Sequence, residues 1–438
     1  MTTESVTTLP ADLGAAVDRA RSTLDDAAIA ELLLGMVAIA SPTGEEAPLA
    51  RFVADHLSRA GVEAEVQSLG EGDQANLVGR LAGAGDGPTL LVYAALDTAF
   101  SGNLEEDRPF LGDTPRADFA LPPSRDGSFI TGLGAENPKG FAAAGIAALE
   151  AIARADAPLR GEVVLMLASG SMPDDARPGH GTGIRHFLEG STPPDFAIVL
   201  KPGYAVGYEE VGLAWFRVIV HGAVNYTGIR HKGPYRNPIL GAARVVLALE
   251  AWFADYSARH TDGLVAPQGS INAIRAGAAG RAAFVPATCE IDVDLRVGPR
   301  STPDTVEAEL REAIEAIRAD DPTLEVTLER RVAFPGTSTD PSSWIVRSLT
   351  HAWEEREGRE HAPLARGSGA TDAAILRSAG IPTARIGLPP PSAPNPASGF
   401  SMGYVDAASV HRLADVLVQA VIDTTGRPRD TVLIGGTP

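Results

Sequence analysis

The chain carries one cysteine, Cys289, in 438 residues. It can form neither an internal disulfide nor a multi-cysteine zinc or iron–sulfur centre. Its place in the alternating run 288–297, TCEIDVDLRV, reads as a small residue on one face of a strand. Long apolar runs are missing too: none reaches the roughly 18 to 20 residues of a membrane span. The opening MTTESVTTLPADLG lacks a basic start followed by an apolar stretch. These absences predict a cytoplasmic protein with no membrane partner. Basic residues are few, 37 against 56 acidic, giving a formal charge of -19. No basic cluster breaks that field, which repels phosphate backbones and anionic membranes and argues against nucleic acid as a partner.

What is present is ordinary globular composition, 44% hydrophobic and 21% charged, in a length that favours two or three domains. Residues 11–39 carry apolar positions such as Ile29, Leu32, Leu33 and Met36 at helical spacing, and SPTGEE at 41–46 forms a turn before a helix running to Arg59. Strands are expected at 62–67, 75–81, 89–94, 162–168 and 195–200, with helices at 139–155 and 181–189. This alternation predicts a layered α/β domain on a mainly parallel or mixed sheet. Ligands of such sheets sit outside the carboxyl ends of the strands, which singles out the residues just after 94, 168 and 200.

The rhythm changes near Tyr208. Strand 213–222, helix 237–255, strands 267–276 and 281–297, helix 303–319 and the strand-like 324–332 make a small α+β unit. The remainder returns to the earlier pattern, and 424–438 reads as a loosely held tail. The expected fold class is therefore α/β: a discontinuous layered catalytic-type domain, 1–207 and 333–438, with an inserted α+β lid or dimerisation domain at 208–332.

Several strings, in order, carry a family likeness: LLVYAALDT at 90–98, GLGAENPKG at 132–140, GEVVLMLASGSM at 161–172 and DFAIVLKPG at 195–203. GAVNYTG at 222–228, NPI at 237–239, EIDVDLR at 290–296 and GSGATDAAILRSAGIP at 367–382 continue it. Together they resemble the M20 family of dinuclear zinc aminoacylases, carboxypeptidases and deacylases. The resemblance also shows what is missing. Where the family has a metal-binding histidine this chain has Ala95, with the orienting aspartate kept as Asp97. The bridging aspartate is Asn137, and the paired glutamates are Ser171 and Met172. A carboxylate ligand is replaced by Lys201, and the histidine contributed by a partner's lid corresponds to Tyr226. The last ligand histidine falls near Gly399 in SGFSMGY, 398–404. Zinc needs imidazole, carboxylate or thiolate donors, so the resemblance implies a fold without its metal and without a cofactor. A displaced mononuclear site built from Asp174, Asp175 and His180 is left open.

Chemistry then rests on other groups. An ammonium at Lys201 could replace part of the missing metal charge, holding a carboxylate or a developing oxyanion, or act as a base or nucleophile if desolvated. A facing Asp97 carboxylate favours the charged form and electrostatic binding over amine nucleophilicity. Ser171 could pair with Lys201 as nucleophile and base, although SGSMP at 169–173 is no G-x-S-x-G elbow. Glu136 is a further acid–base candidate, and Tyr226 could donate a hydrogen bond where the family uses histidine, so that Lys201, Asp97 and Tyr226 would move protons or hold charge. Asn137 precedes Pro138, and the resemblance implies a cis bond there. For substrate handling the expected residues are Arg296, Asn137, Ser368, Thr371 and Asn237, the last explained equally by helix capping.

The expected ligand is a carboxylate-bearing amino-acid or peptide-like small molecule, and the expected assembly a homodimer through the inserted domain. The expected activity is metal-independent acyl transfer, cyclisation, elimination or isomerisation, in a biosynthetic setting. A catalytically inactive binding or scaffold protein, and a metal-dependent amide hydrolase with an altered ligand set, remain alternatives.

Overall fold

A computed structural model describes residues 9–70, 72–172, 180–396 and 400–433. The chain forms two compact units. One comprises Met1–Tyr208, Thr339–Leu364 and Ile375–Pro438, the other Glu209–Ser338 and Ala365–Ala374. The smaller unit thus takes up the short segment that holds Ser368 and Thr371.

The larger unit is built on a six-stranded mixed sheet, in the order Glu63–Ser68, Ala75–Leu81, Val163–Ala168, Leu90–Ala95, Phe196–Leu200 and Thr383–Ile386. The first three pair antiparallel and the last four run parallel. Every residue of Leu90–Ala95, Val163–Ala168 and Phe196–Leu200 is buried. That is why these strands read as continuous apolar runs and not as alternation: helices cover both faces of a sheet that carries parallel strands. The central helix Lys139–Arg154 is rich in alanine and glycine because it lies almost wholly buried in one apolar core with the sheet. A Cβ at Gly145 would come within 3.0 Å of the Leu165 side chain.

The expected single helix over 11–39 is two, Ala11–Arg21 and Asp26–Val37. Asp25 causes the break, its carboxylate capping the amides of Ala27 and Ala28. The expected loose tail is folded through Leu433: Ala407–Thr425 is one long helix, Arg429 pairs with Asp195 and Val432 is buried.

The smaller unit is a four-stranded antiparallel sheet, ordered Gly269–Ala276, Thr288–Val297, Gly212–His221 and Glu325–Phe334. The helices Pro238–His260 and Pro303–Asp320 pack on it around a core of their own. Alternating burial along Gly212–His221 and Thr288–Val297 marks one covered face. Cys289 lies in that core as a free thiol. The expected strand 281–297 is shorter than read, because Phe284–Val285 leaves the main sheet to pair with Asn225–Tyr226.

Candidate functional site

Three parallel neighbours, Val163–Ala168, Leu90–Ala95 and Phe196–Leu200, end at one edge of the larger unit's sheet. The apolar runs stop there and polar residues follow at once: Ser169 and Ser171, Asp97, and Lys201. Asp97 is fully buried. Its Oδ1 accepts the Ser171 amide at 3.1 Å, and its Oδ2 accepts the Met172 amide at 2.7 Å and the Thr43 hydroxyl at 2.9 Å. Burial pushes the Asp97 carboxyl up; the Met172 amide, the Lys201 charge, the Thr43 hydroxyl and the Ser171 amide pull it back. Ser171 and Met172, where the family resemblance implies two glutamates, thus serve the site through their backbone.

Glu46 is the residue that sequence reasoning missed. It looked like the acidic start of a helix, which now runs Ala47–Arg59. Glu46 is fully buried, and its Oε1 accepts the amides of Gly44 and Gly170, each at 2.9 Å. Its Oε2 has no hydrogen-bond partner among the described residues. Its pKa is pushed up to about 7, first by burial and then by the Asp97 carboxylate. Gly170 has φ 59°, a conformation that favours glycine, at the point where the strand-end loop turns over these two carboxyl groups. No local signal in SPTGEE could reveal a bond to a residue 124 positions away.

Lys201 is buried at the end of Phe196–Leu200, and its charge reaches Asp97. Its main chain continues the sheet, the amide donating to Ile386 O at 3.1 Å. A Cβ on the neighbouring Gly387 would lie 2.2 Å from Lys201 O, so only glycine allows the two segments so close. Asp97, Ser171 and Lys201 are therefore brought together by neighbouring strand ends.

The turn 132–138 flanks them, with Gly134 packed toward the Thr98 methyl. The Asn137–Pro138 bond is cis. The amides of Glu136 and Asn137 both donate to Met402 O, at 3.0 and 3.1 Å. Asn137 Oδ1 is buried with no hydrogen-bond partner among the described residues, while Nδ2 lies 3.5 Å from Met402 Sδ. Burial pushes the Glu136 carboxyl up. Just beyond, Lys139 is fully buried, donates to Ile39 O at 2.6 Å, and has its pKa lowered by burial to about 7. Asp174, Asp175 and Gly399 lie outside the described residues, and His180 follows the first two with its amide donating to Met172 O at 3.3 Å.

The other candidates belong to the smaller unit. Tyr226 is 48% exposed, its ring 5.7 Å from that of Phe284. Arg296 is half-buried and paired with Asp294 at 2.9 Å. Asn237 caps Pro238–His260 through Ile239 N and donates to the Tyr235 hydroxyl. Thr371 donates to Glu210 at 2.8 Å, and Ser368 Oγ is buried without a hydrogen-bond partner among the described residues.

The donor chemistry does not suit a zinc pair. A methyl at Ala95, an amide at Asn137, a hydroxyl and a thioether at Ser171 and Met172, and an ammonium at Lys201 supply no anionic or imidazole ligand. Among the described residues no group of three or more histidine, cysteine, aspartate or glutamate side chains is placed to hold a metal.

A sequence profile described as peptidase family M20/M25/M40 matches residues 107–423. The succinyl-diaminopimelate desuccinylase of Methylorubrum extorquens is 28% identical over 373 residues, covering 82% of this chain and 90% of that one. Among solved structures, the dipeptidase Dug1p of Saccharomyces cerevisiae superposes with a TM-score of 0.72 at 12% identity, covering 95% of this chain and 99% of that one. Human carnosine dipeptidase 1 gives a TM-score of 0.69 at 15% identity, covering 95% of this chain and all (100%) of that one. At those identities the structures speak to the fold alone.

Proposed function

The chain belongs to peptidase family M20/M25/M40, and from that premise we propose that it is a metal-independent enzyme of this fold acting on a carboxylate-bearing amino-acid or peptide-like small molecule. The observation that carries the reading is a buried lysine, Lys201, at the sheet edge, with its charge felt by the buried carboxylate of Asp97. In a site of low dielectric an ammonium binds an anion far more strongly than on a surface. Lys201 holds the substrate carboxylate or a developing oxyanion. Asp97 is a positioning residue, since both its oxygens are already engaged by the strand-end loop and Thr43. Glu136, on the flanking turn, and Ser171 are the groups left to move a proton or attack an acyl carbon. These parts serve acyl transfer, cyclisation, elimination or isomerisation without a metal-activated water. The desuccinylase relative acts on a succinylated amino acid, which supports the substrate class.

The family resemblance adds Tyr226 as a hydrogen-bond donor in the chemistry, and Arg296, Asn137, Asn237, Ser368 and Thr371 as substrate-binding candidates. The smaller unit exposes Val224, Ile229, Leu247, Ile274 and Phe284, apolar area suited to a homodimer. A free buried thiol in place of disulfides fits a cytoplasmic setting.

Two measurements test the reading. Metal analysis after purification in zinc-supplemented buffer without chelator should find below about one tenth of an ion per chain. Lys201→Met should weaken binding of N-acetylglycine, a minimal carboxylate probe, by about tenfold or more. One or two tightly held ions per chain would instead favour an altered-ligand hydrolase. Unchanged probe binding in the lysine variant would sink the assignment of Lys201.

A further inference from the structure

We infer that the segment 98–119 and Phe400 form an aromatic rim that recognises an apolar, preferably aromatic, side group on the substrate; the inference rests on the proposed reading of Lys201. Phe110 is 78% exposed and Phe400 66%, among the largest exposures of any apolar side chain in the larger unit. Exposed aromatics cost solubility, and contact with an apolar ligand group gives them a use.

The rim is built and not incidental. Phe100 receives Phe110 and Phe119 edge-on, ring centres 5.9 and 4.9 Å away. The Arg116 guanidinium lies 4.7 Å from the centre of the Phe119 ring, grips the buried Asp118 carboxylate at 2.6 and 3.1 Å, and donates to Phe400 O at 2.7 Å. One fork-shaped cation thus ties both sides of the rim together. Beneath it, the buried Asp107 carboxylate accepts the amides of Ser101 and Gly102, which pins the helix Leu104–Leu111 to the loop before it.

The rim is also continuous with the site. Phe100 lies three residues past Asp97, and the Thr98 hydroxyl donates to Phe100 O at 2.7 Å. On the other side, Met402, two residues past Phe400, accepts the amides of Glu136 and Asn137. In this inference a ligand held by its carboxylate at Lys201 would lay its side group against these rings. Small-molecule sites usually divide in this way: few polar groups orient and apolar area supplies affinity.

Calorimetric titration of the whole protein with N-acetyl-L-phenylalanine and N-acetylglycine, which share carboxylate and amide, tests the rim. The aromatic probe should bind about tenfold tighter or better, and Phe110→Ser with Phe400→Ser should bring the ratio to about twofold or less. Both positions are exposed, so an unchanged unfolding midpoint would certify the fold. Equal affinities in the native protein, or a preference that survives in the double variant, overturn the rim. Lys201→Met should weaken both probes without changing their ratio. If it weakens neither while the ratio stands, the rim survives and the lysine reading fails. If neither probe binds at millimolar concentration, both fail.

Discussion

The candidate residues of the two units live under different physical conditions. In the larger unit Asp97, Glu46 and Lys201 are buried and ionisable: one strand-end loop donates amides to Glu46 and Asp97, and the Lys201 charge reaches Asp97. In the smaller unit Tyr226 is exposed, while Arg296, Asn237 and Thr371 are each engaged by a neighbour within that unit. A buried charge has no water to fall back on, so its partners determine both stability and reactivity. A half-exposed cap or ion pair is worth little beyond its local geometry. Parallel strands bring distant residues to one edge, whereas a small antiparallel sheet mostly lets its polar residues serve their own turns and helix ends.

Substitutions can break this contrast, beginning with the largest effect. Asp97→Ala leaves the amides of Ser171 and Met172 and the Thr43 hydroxyl unpartnered in the interior. It should destabilise the protein by roughly 3–5 kcal/mol in urea unfolding. A loss below about 1 kcal/mol would mean that the loop does not depend on this carboxylate.

Glu46→Gln gives the next effect and a pH signature. The Glu46 pKa is raised in the folded protein, from 4.5 to about 7. Its contribution to stability is therefore fully present below about pH 4.5 and lost as pH rises through about 7. Glutamine keeps the acceptor for Gly44 and Gly170 without the charge. The stability difference between variant and native protein should shift in the variant's favour across that window, by roughly 1–3 kcal/mol. A difference that stays flat with pH would show that Glu46 does not titrate there.

Asn237→Ala should cost about 1 kcal/mol through the lost cap. If it also weakened N-acetylglycine binding severalfold, the smaller unit's polar residues would do more than serve local structure, and the contrast would soften.

The fold was legible because its strongest signals are local. Five of the six strands of the large sheet were expected, and the apolar runs Leu90–Ala95, Val163–Ala168 and Phe196–Leu200 lie within a residue of expectation, whereas the short Thr383–Ile386 was not expected. The break at Asp25 was present as an N-cap signal, but the helical periodicity on either side masked it. Phe284–Val285 left its expected strand because its partner, Asn225–Tyr226, is nearly sixty residues away in sequence. The cluster at Asp97 and Lys201 was half legible. Both sit where strands end, and strand ends in such a sheet converge, but Glu46 comes from a helix start whose composition says only that acids are favoured there.

By itself the sequence determined which donors exist: no histidine at position 95, no aspartate at 137, a lysine at 201, and apolar runs long enough to form the sheet. Side-chain chemistry is a property of the residue and needs no fold to be read. Only the tertiary structure decided that Glu46 and Asp97 share the amides of one loop, that Lys201 is buried within electrostatic reach of that loop, and that Arg116 binds Phe400. These facts depend on which segments the sheet places side by side and on how far water is excluded between them, and neither is written in any local stretch of the chain.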